Sequence, residues 1–168
     1  MSDASATPAV PDFEAVDPGS PVARECMDRY FAELDERFDI GFDPGPLVES
    51  DLAELRPPYG TFLVARGLVA PGEGGEALAG GGVRPYDGTA EIKRMWVSPS
   101  ARGRGLGRRL LGALEEEARR LGHTVVRLDT RGDVLTEAVA LYLRCGYERI
   151  ERYNDNPYAT HFFAKVLE

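Results

Sequence analysis

Apolar residues recur along this chain in two periods, and the switch between them divides it. From Pro21 to Phe38 the side chains of Val22, Cys26, Tyr30, Phe31, Leu34 and Phe38 return at helical spacing. Phe42 to Gly60 mixes proline and glycine around a short helix over Leu47–Leu55. Three strands follow: Thr61–Val69, Ala77–Tyr86 (weakened by three consecutive glycines) and Thr89–Val97. The turns between them fall at Pro71–Gly75 and Asp87–Gly88. Gly105–Leu121 is strongly amphipathic, with Leu106, Leu110, Leu111, Leu114, Ala118 and Leu121 on one side, and Gly122 stands where a C-terminal cap would. Thr124–Thr130 is a strand, and Asp133 is placed to cap a helix running to Cys145. Tyr147–Tyr153 and His161–Leu167 close as strands. Hairpins first and alternating strands and helices later predict one α/β (α+β) domain on a mixed sheet. Residues 1–20, rich in Ala, Ser, Pro and Asp without periodicity, read as a flexible tail before a domain over 21–168.

Composition narrows the function. A formal charge of −8 over 168 residues argues against general nucleic-acid binding. No apolar run is long enough to span a bilayer, and the N-terminus has no secretory pattern. Cys26 and Cys145 match no disulfide framework or metal spacing, which suits reduced thiols in a cytoplasmic protein with no metal.

The segment Val97-Ser-Pro-Ser-Ala-Arg-Gly-Arg-Gly-Leu-Gly-Arg-Arg joins a strand to a helix through Gly103, Gly105 and Gly107. Such a turn brings backbone amides close to a ligand, and a helix start favours an anion. Helix starts ordinarily attract acidic residues. Here Arg104, Arg108 and Arg109 cluster instead, and Glu115–Glu117 come two turns later. Positive charge against the helix dipole makes sense if a bound anion lies there. The loop lacks the Gly-Lys-Ser/Thr ending of a Walker A motif. It also fails the dinucleotide fingerprint, because position 108 is arginine; Asp129, the tempting ribose acid of that reading, falls with it.

The run Arg102-x-x-Gly105-x-Gly107, with Val97-x-Pro99 before it, resembles the pyrophosphate motif of the GNAT superfamily of acetyl-coenzyme A-dependent N-acetyltransferases. Ala140-Leu-Tyr142-Leu-Arg-Cys-Gly146-Tyr147 is similar to that superfamily's second motif. The resemblance covers residues 61–167 and implies a mixed, mostly antiparallel sheet of about six or seven strands, splayed at the cofactor site and flanked by about four helices. It implies acetyl-coenzyme A as co-substrate, its pantetheine arm in the gap between strands 89–97 and 124–130. Main-chain groups of Met95, Trp96 and Val97 would line the arm. The amides from Arg102 through Gly103, Arg104, Gly105, Leu106 and Gly107 to Arg108 would take the pyrophosphate.

Acetyl transfer to an amine needs a base for the ammonium and an acid for the departing thiolate. Glu91 matches in position the glutamate that serves as base in histone-acetylating members of the superfamily. Partial burial would suit that role. Its alternative is a plain pair with Lys93 on the same strand face. Tyr142, whose phenol has an ordinary pKa of about 10, is the candidate acid, against an ordinary core tyrosine. Cys145 reads as packing rather than as a nucleophile.

For the acceptor, Tyr153-Asn-Asp-Asn-Pro-Tyr158 concentrates aromatic and amide groups between the last two strands. Asn154, Asn156 and Tyr158 are candidates to orient a small polar molecule and Asp155 to hold an ammonium; an Asx-type turn explains the same residues. Alternation sends Lys93 and Arg94 to opposite faces, one clamping a carboxylate and the other pairing with an acid. Tyr30 and Asp28 would close the far side. The reading is an N-acetyltransferase for a small-molecule or amino-acid-like amine, as monomer or homodimer. A protein or peptide acetyltransferase and a non-catalytic acyl-coenzyme A sensor are the alternatives.

Overall fold

The computed structural model describes residues 12–46, 48–67 and 75–168. Its elements run β1 (Glu14–Val16), α1 (Pro21–Arg37), α2 (Glu49–Ala53), β2 (Thr61–Arg66), β3 (Ala77–Tyr86), β4 (Thr89–Val97), α3 (Leu106–Arg120), β5 (Val125–Thr130), α4 (Thr136–Arg144), β6 (Glu148–Ile150) and β7 (His161–Val166). A short 3-10 turn at Pro99–Ala101 joins β4 to the loop before α3. The strands form one sheet in the order β1-β2-β3-β4-β5-β7-β6. Every neighbouring pair is antiparallel except β4 with β5.

Local chemistry sets the boundaries. Ser20 caps α1 by accepting a bond from the Ala23 amide at 3.4 Å, and Pro21 takes the first helical position, where a missing N–H costs nothing. Helix α3 buries Leu106, Leu110, Leu111, Leu114 and Ala118, the stripe its spacing predicts. That stripe meets Leu63, Val83, Ile92, Val126, Leu128 and Phe163 on one face of the sheet. On the other face α1 and α2 cover Phe62, Val64, Ala77 and Trp96 with Cys26, Met27, Leu52 and Leu55.

The glycine run in β3 explains how two helices and the turn after α2 fit against so narrow a strand. A Cβ on Gly80 would lie 2.8 Å from Cys26 Sγ, one on Gly82 2.6 Å from Leu55 Cδ2, and one on Gly81 3.0 Å from Leu114 Cδ1. The three glycines weaken the strand as a strand and permit close helix packing on both of its faces.

Several expectations need correction. Residues 12–20 are not tail: Glu14–Val16 pairs with Phe62–Val64, and an ion pair of 2.8 Å ties Glu14 to Arg66. A short edge strand needs backbone partners more than an alternating pattern, so composition hid it. Residues 1–11, Leu47, the end of the predicted strand at Leu68–Val69 and the turn at 71–74 lie outside the described residues. Asp133 does not cap α4, which begins at Thr136 after Leu135 with no side-chain cap. The strand predicted over 147–153 is reduced to Glu148–Ile150.

Candidate active site

Strands β4 and β5 pair only at Ala90 with Val126 and Glu91 with Arg127, then part. The C-terminal half of β4 therefore presents main-chain groups to a gap instead of to a neighbouring strand. A second irregularity reshapes that half. The β3–β4 register passes from Gly82↔Lys93 to Gly80↔Trp96, so Arg94 and Met95 together oppose Gly81, and Arg94 adopts φ +58°. This is a β-bulge. The extra residue overturns the alternation expected of β4: Lys93 and Arg94 both reach the cavity under α1, and the Trp96 ring packs into the α1-side core under the Arg29 guanidinium.

Two cavities open on the gap. The larger, about 490 Å³, runs along Met95, Trp96 and Val97 to Arg102, Gly103, Gly105, Leu106, Gly107 and Arg108, with Leu141 and Cys145 of the α4 end opposite. At its far end α3 starts from Gly105, which has φ +74° and no side-chain cap, with Gly103 at φ +82° before it. A Cβ on either would meet nothing within 4 Å, so these glycines leave their amides open, and their positive φ suits no other residue as well. The first intrahelical bond of α3 is from the Arg109 amide to Gly105 O, so the amides before it remain donors for a ligand. No acidic residue stands in that first turn. This donor set fits a pyrophosphate. Val97 O already accepts from Arg102 Nε at 3.1 Å, and the Arg102 guanidinium also forms an ion pair with Glu33 of α1. Arg104 is exposed and does not line the groove.

The smaller cavity, about 230 Å³, lies between α1, the ends of β4 and β5, and the 154–159 loop. Phe31, Phe38, Phe42 and Tyr158 form its apolar wall, with the Phe42 and Tyr158 rings 4.7 Å apart. Lys93, Arg94, Asp129, Arg131 and Asn156 supply its polar groups. Tyr30 and Tyr142 line both cavities, at their junction. No hydrogen bond engages the Tyr142 hydroxyl among the described residues. Burial, reinforced by Tyr30 and Asp129, holds its pKa above that of an ordinary phenol.

Glu91 is brought close to this site but not into it. Its side chain is 0 % exposed and lines neither cavity. Arg84 grips Oε1 at 2.9 and 3.0 Å, with Lys93 Nζ at 4.0 Å; Tyr153 donates to Oε2 at 2.6 Å and Asn154 at 3.1 Å. Both of its oxygens are thus occupied by donors, and it has no face on either cavity. The carboxylate that faces the cavity is Asp129, at the end of β5. It accepts from Asn154 Nδ2 at 2.6 Å, Lys93 Nζ at 3.4 Å and Asn156 Nδ2 at 3.4 Å.

The Asx-turn reading of the 153–158 segment holds. Asn154 Oδ1 accepts from the Asn156 amide and Asn156 Oδ1 from the Tyr158 amide, each at 3.1 Å, a pair of successive Asx turns. The amide nitrogens of the same side chains reach Asp129. Asn154 lies behind Asp129 and does not line the cavity, and Asp155 and Asp28 are exposed away from it. Arg152 pins the loop by donating to Asn156 O at 2.9 Å and Ala159 O at 2.8 Å. Asp129, Glu33, Arg84 and Tyr153 carry the site's architecture through partners on other elements, and Arg152 through carbonyls of its own loop; of these only Asp129, in a strand, and Tyr153, in its aromatic and amide segment, gave a sequence signal. Among the described residues no group of three or more His, Cys, Asp or Glu is placed to hold a metal ion, and no helix is long and apolar enough to cross a membrane.

Known proteins share this fold. The family model for the acetyltransferase (GNAT) family matches residues 24–147. An uncharacterized N-acetyltransferase of Schizosaccharomyces pombe is 39 % identical over 103 residues, a match spanning 60 % of each chain. The N-alpha-acetyltransferase RimI of Mycobacterium tuberculosis is 33 % identical over 123 residues, covering 71 % of each. Among solved structures, a GNAT-family acetyltransferase of Staphylococcus aureus superposes with a TM-score of 0.74 over 94 % of this chain and 100 % of its own, at 17 % identity. With the parted strands and the glycine cradle at the start of α3 in place, the family match is decisive: the chain belongs to the acetyltransferase (GNAT) family.

Proposed function

We propose that this protein transfers an acetyl group from acetyl-coenzyme A to the amine of a small acceptor, by direct attack with both substrates bound. The observation that carries the reading is the position of Tyr142 at the junction of the two cavities. A groove with a pyrophosphate cradle at one end meets a separate, residue-sized chamber at the other. A phenol free of other bonds stands where the two join.

In this reading the amides at Gly103–Arg108 and the Arg102 and Arg108 side chains hold the pyrophosphate, and the unpaired edge of β4 at Met95 and Val97 holds the pantetheine arm. Asp129, rather than Glu91, seats the acceptor's ammonium and accepts its proton, directly or through water. The neutral nitrogen then forms a bond to the thioester carbonyl carbon as the carbon–sulfur bond breaks. Tyr142 gives its hydroxyl proton to the departing sulfur, and the proton lost from nitrogen restores it by way of solvent. The buried tyrosine, held neutral above the ordinary phenol range, is in the correct form to donate. Glu91 acts as a positioning residue, fixing Asn154, which in turn holds Asp129.

A small acceptor is favoured over a protein because the acceptor cavity is below the size of ordinary drug-sized pockets and is walled by the Phe42–Tyr158 contact. The test is calorimetric titration with acetyl-coenzyme A followed by a screen of amines for free-thiol release. Binding with acceptor-dependent release supports the reading. Binding without release from any acceptor would turn it into a sensor of acyl-coenzyme A, and no binding would remove it.

A further inference from the structure

Among the described residues the charges around the acceptor cavity form a chain of alternating sign, Arg131 pairs separately with Asp133 at 3.6 Å, and Arg94 alone of the lining cations has no carboxylate within 4 Å. Glu54 pairs with Arg84 at 2.8 Å, Arg84 with Glu91 at 2.9 Å, Glu91 with Lys93 at 4.0 Å, and Lys93 with Asp129 at 3.4 Å. Each basic group in that chain lies between two carboxylates. Arg94, the next residue along β4, stands outside it. The bulge turns it into the cavity, where it meets Met27 Sδ at 3.0 Å and the face of Phe31 at 5.5 Å.

A thioether is a weak acceptor, and a guanidinium carries five donors in a planar fork. Taking such a cation from water without a carboxylate partner is costly. Burial accordingly depresses its pKa below the usual arginine value, the direction opposite to that of Arg84, whose carboxylate partners raise it. A cation in that state, lining a cavity, marks a candidate ligand site. The backbone supports the same conclusion, because a non-glycine residue at φ +58° is uncommon and a bulge at this point re-aims a side chain.

The cavity thus has three distinct ends: a carboxylate at Asp129 beside Tyr142, a guanidinium at Arg94 that feels the Asp51 charge but has no carboxylate in contact, and the aromatic wall of Phe31, Phe38, Phe42 and Tyr158. Resting on the acetyl-transfer reading above, we propose that the acceptor is an α-amino acid with an apolar side chain, its ammonium on Asp129, its carboxylate on the Arg94 fork and its side chain against the aromatic wall. The carboxylate distinguishes this class from simple amines. The cavity's size, about 230 Å³, suits one residue rather than a peptide.

The test uses full-length protein and acetyl-coenzyme A, with thiol release measured for matched pairs that differ only in the carboxylate: L-phenylalanine against 2-phenylethylamine, and L-leucine against 3-methylbutylamine. Wild-type protein is expected to favour the amino acid of each pair in kcat/KM by about tenfold to a hundredfold, the worth of a charge-assisted hydrogen bond to a buried guanidinium. R94Q should bring that ratio close to one, and R94K should restore part of it. Equal rates for both members of each pair in the wild type, or a preference that survives R94Q, would overturn the inference. So would turnover of the simple amines with none of the amino acids. Calorimetry on the same samples separates this failure from the larger one. Acetyl-coenzyme A binding with amine turnover but no carboxylate preference sinks the inference alone, whereas absence of acetyl-coenzyme A binding sinks the acetyl-transfer reading beneath it.

Discussion

Tyr153 donates its phenolic hydrogen to Glu91 Oε2 across 2.6 Å, joining the loop after β6 to the middle of β4. Burial and the Glu91 charge raise the Tyr153 pKa, so the phenol remains a donor. This bond and that of Asn154 fix the loop against the sheet on the side where Asp129 faces the acceptor cavity.

Removing the Glu91 carboxylate should therefore cost stability first. E91A leaves Arg84 and Lys93 with one carboxylate each; breaking a buried pair costs about 3–5 kcal/mol, and the remaining Glu54 contact places this case near about 3 kcal/mol. Y153F deletes one bond to a charged acceptor, worth about 1.5–3 kcal/mol. Urea denaturation measures both. An E91A protein of unchanged stability with lost turnover would return Glu91 to the role of base.

Tyr142→Phe should lower kcat by about 10²–10⁴ while acetyl-coenzyme A affinity is retained, since only proton donation is lost. D129N should lower kcat/KM over a similar range. Because E91Q preserves the shape of the carboxylate away from the cavity, a smaller effect on turnover than that of D129N is expected. Steady-state kinetics beside calorimetry separates the three, and an undiminished Y142F rate would make Tyr142 a core tyrosine.

The Arg102–Glu33 ion pair sets the anion site against α1. In the proposed binding mode pyrophosphate and Glu33 would compete for one guanidinium, so E33Q should tighten acetyl-coenzyme A binding. A partly exposed pair is worth about 0.2–1 kcal/mol, which corresponds to a gain of up to about fivefold. Gly105→Glu acts in the other direction. It forces a side chain into φ +74°, at a cost of about 1–2 kcal/mol, and sets a carboxylate where the phosphates would lie. Calorimetry should show binding abolished with the circular dichroism spectrum preserved.

Alkaline pH should destabilise the fold through its buried neutral acids. Burial raises the phenols of Tyr30, Tyr142, Tyr147 and Tyr153 and pushes the Cys26 thiol up to about 12. In the unfolded chain these groups ionise near their ordinary values, 9.0 for the thiol and 10.0 for the phenols. Their contribution is complete below those values. Above them the unfolded state loses protons that the folded state keeps, so stability falls as pH rises. The urea midpoint should be steady from about pH 7 to 8 and decline progressively beyond about pH 9. A midpoint that rises in that range would contradict the buried, neutral state of these groups.

What the sequence determined by itself is local: the stripe of α3, the strand before it, the glycine turn that opens its N-terminus and the helical spacing of α1. Each depends on spacing within a few residues, where backbone periodicity and side-chain size act directly. Lys93 and Arg94 show where that logic stops. Alternation assigns them opposite faces, and a bulge set by the opposing strand gives them the same one. Glu91 and Asp129 show it again. Both are acids in strands, and only the pairing of β4 with β5, followed by their separation, decides which is sealed among donors and which faces a cavity. Tyr142 was legible as a residue of interest, but its place between two cavities depends on α1 and α4 crossing the same gap. Side chains from four distant segments meet there because the sheet opens, and the energy that selects that meeting is long-range burial and charge pairing, which no local pattern records.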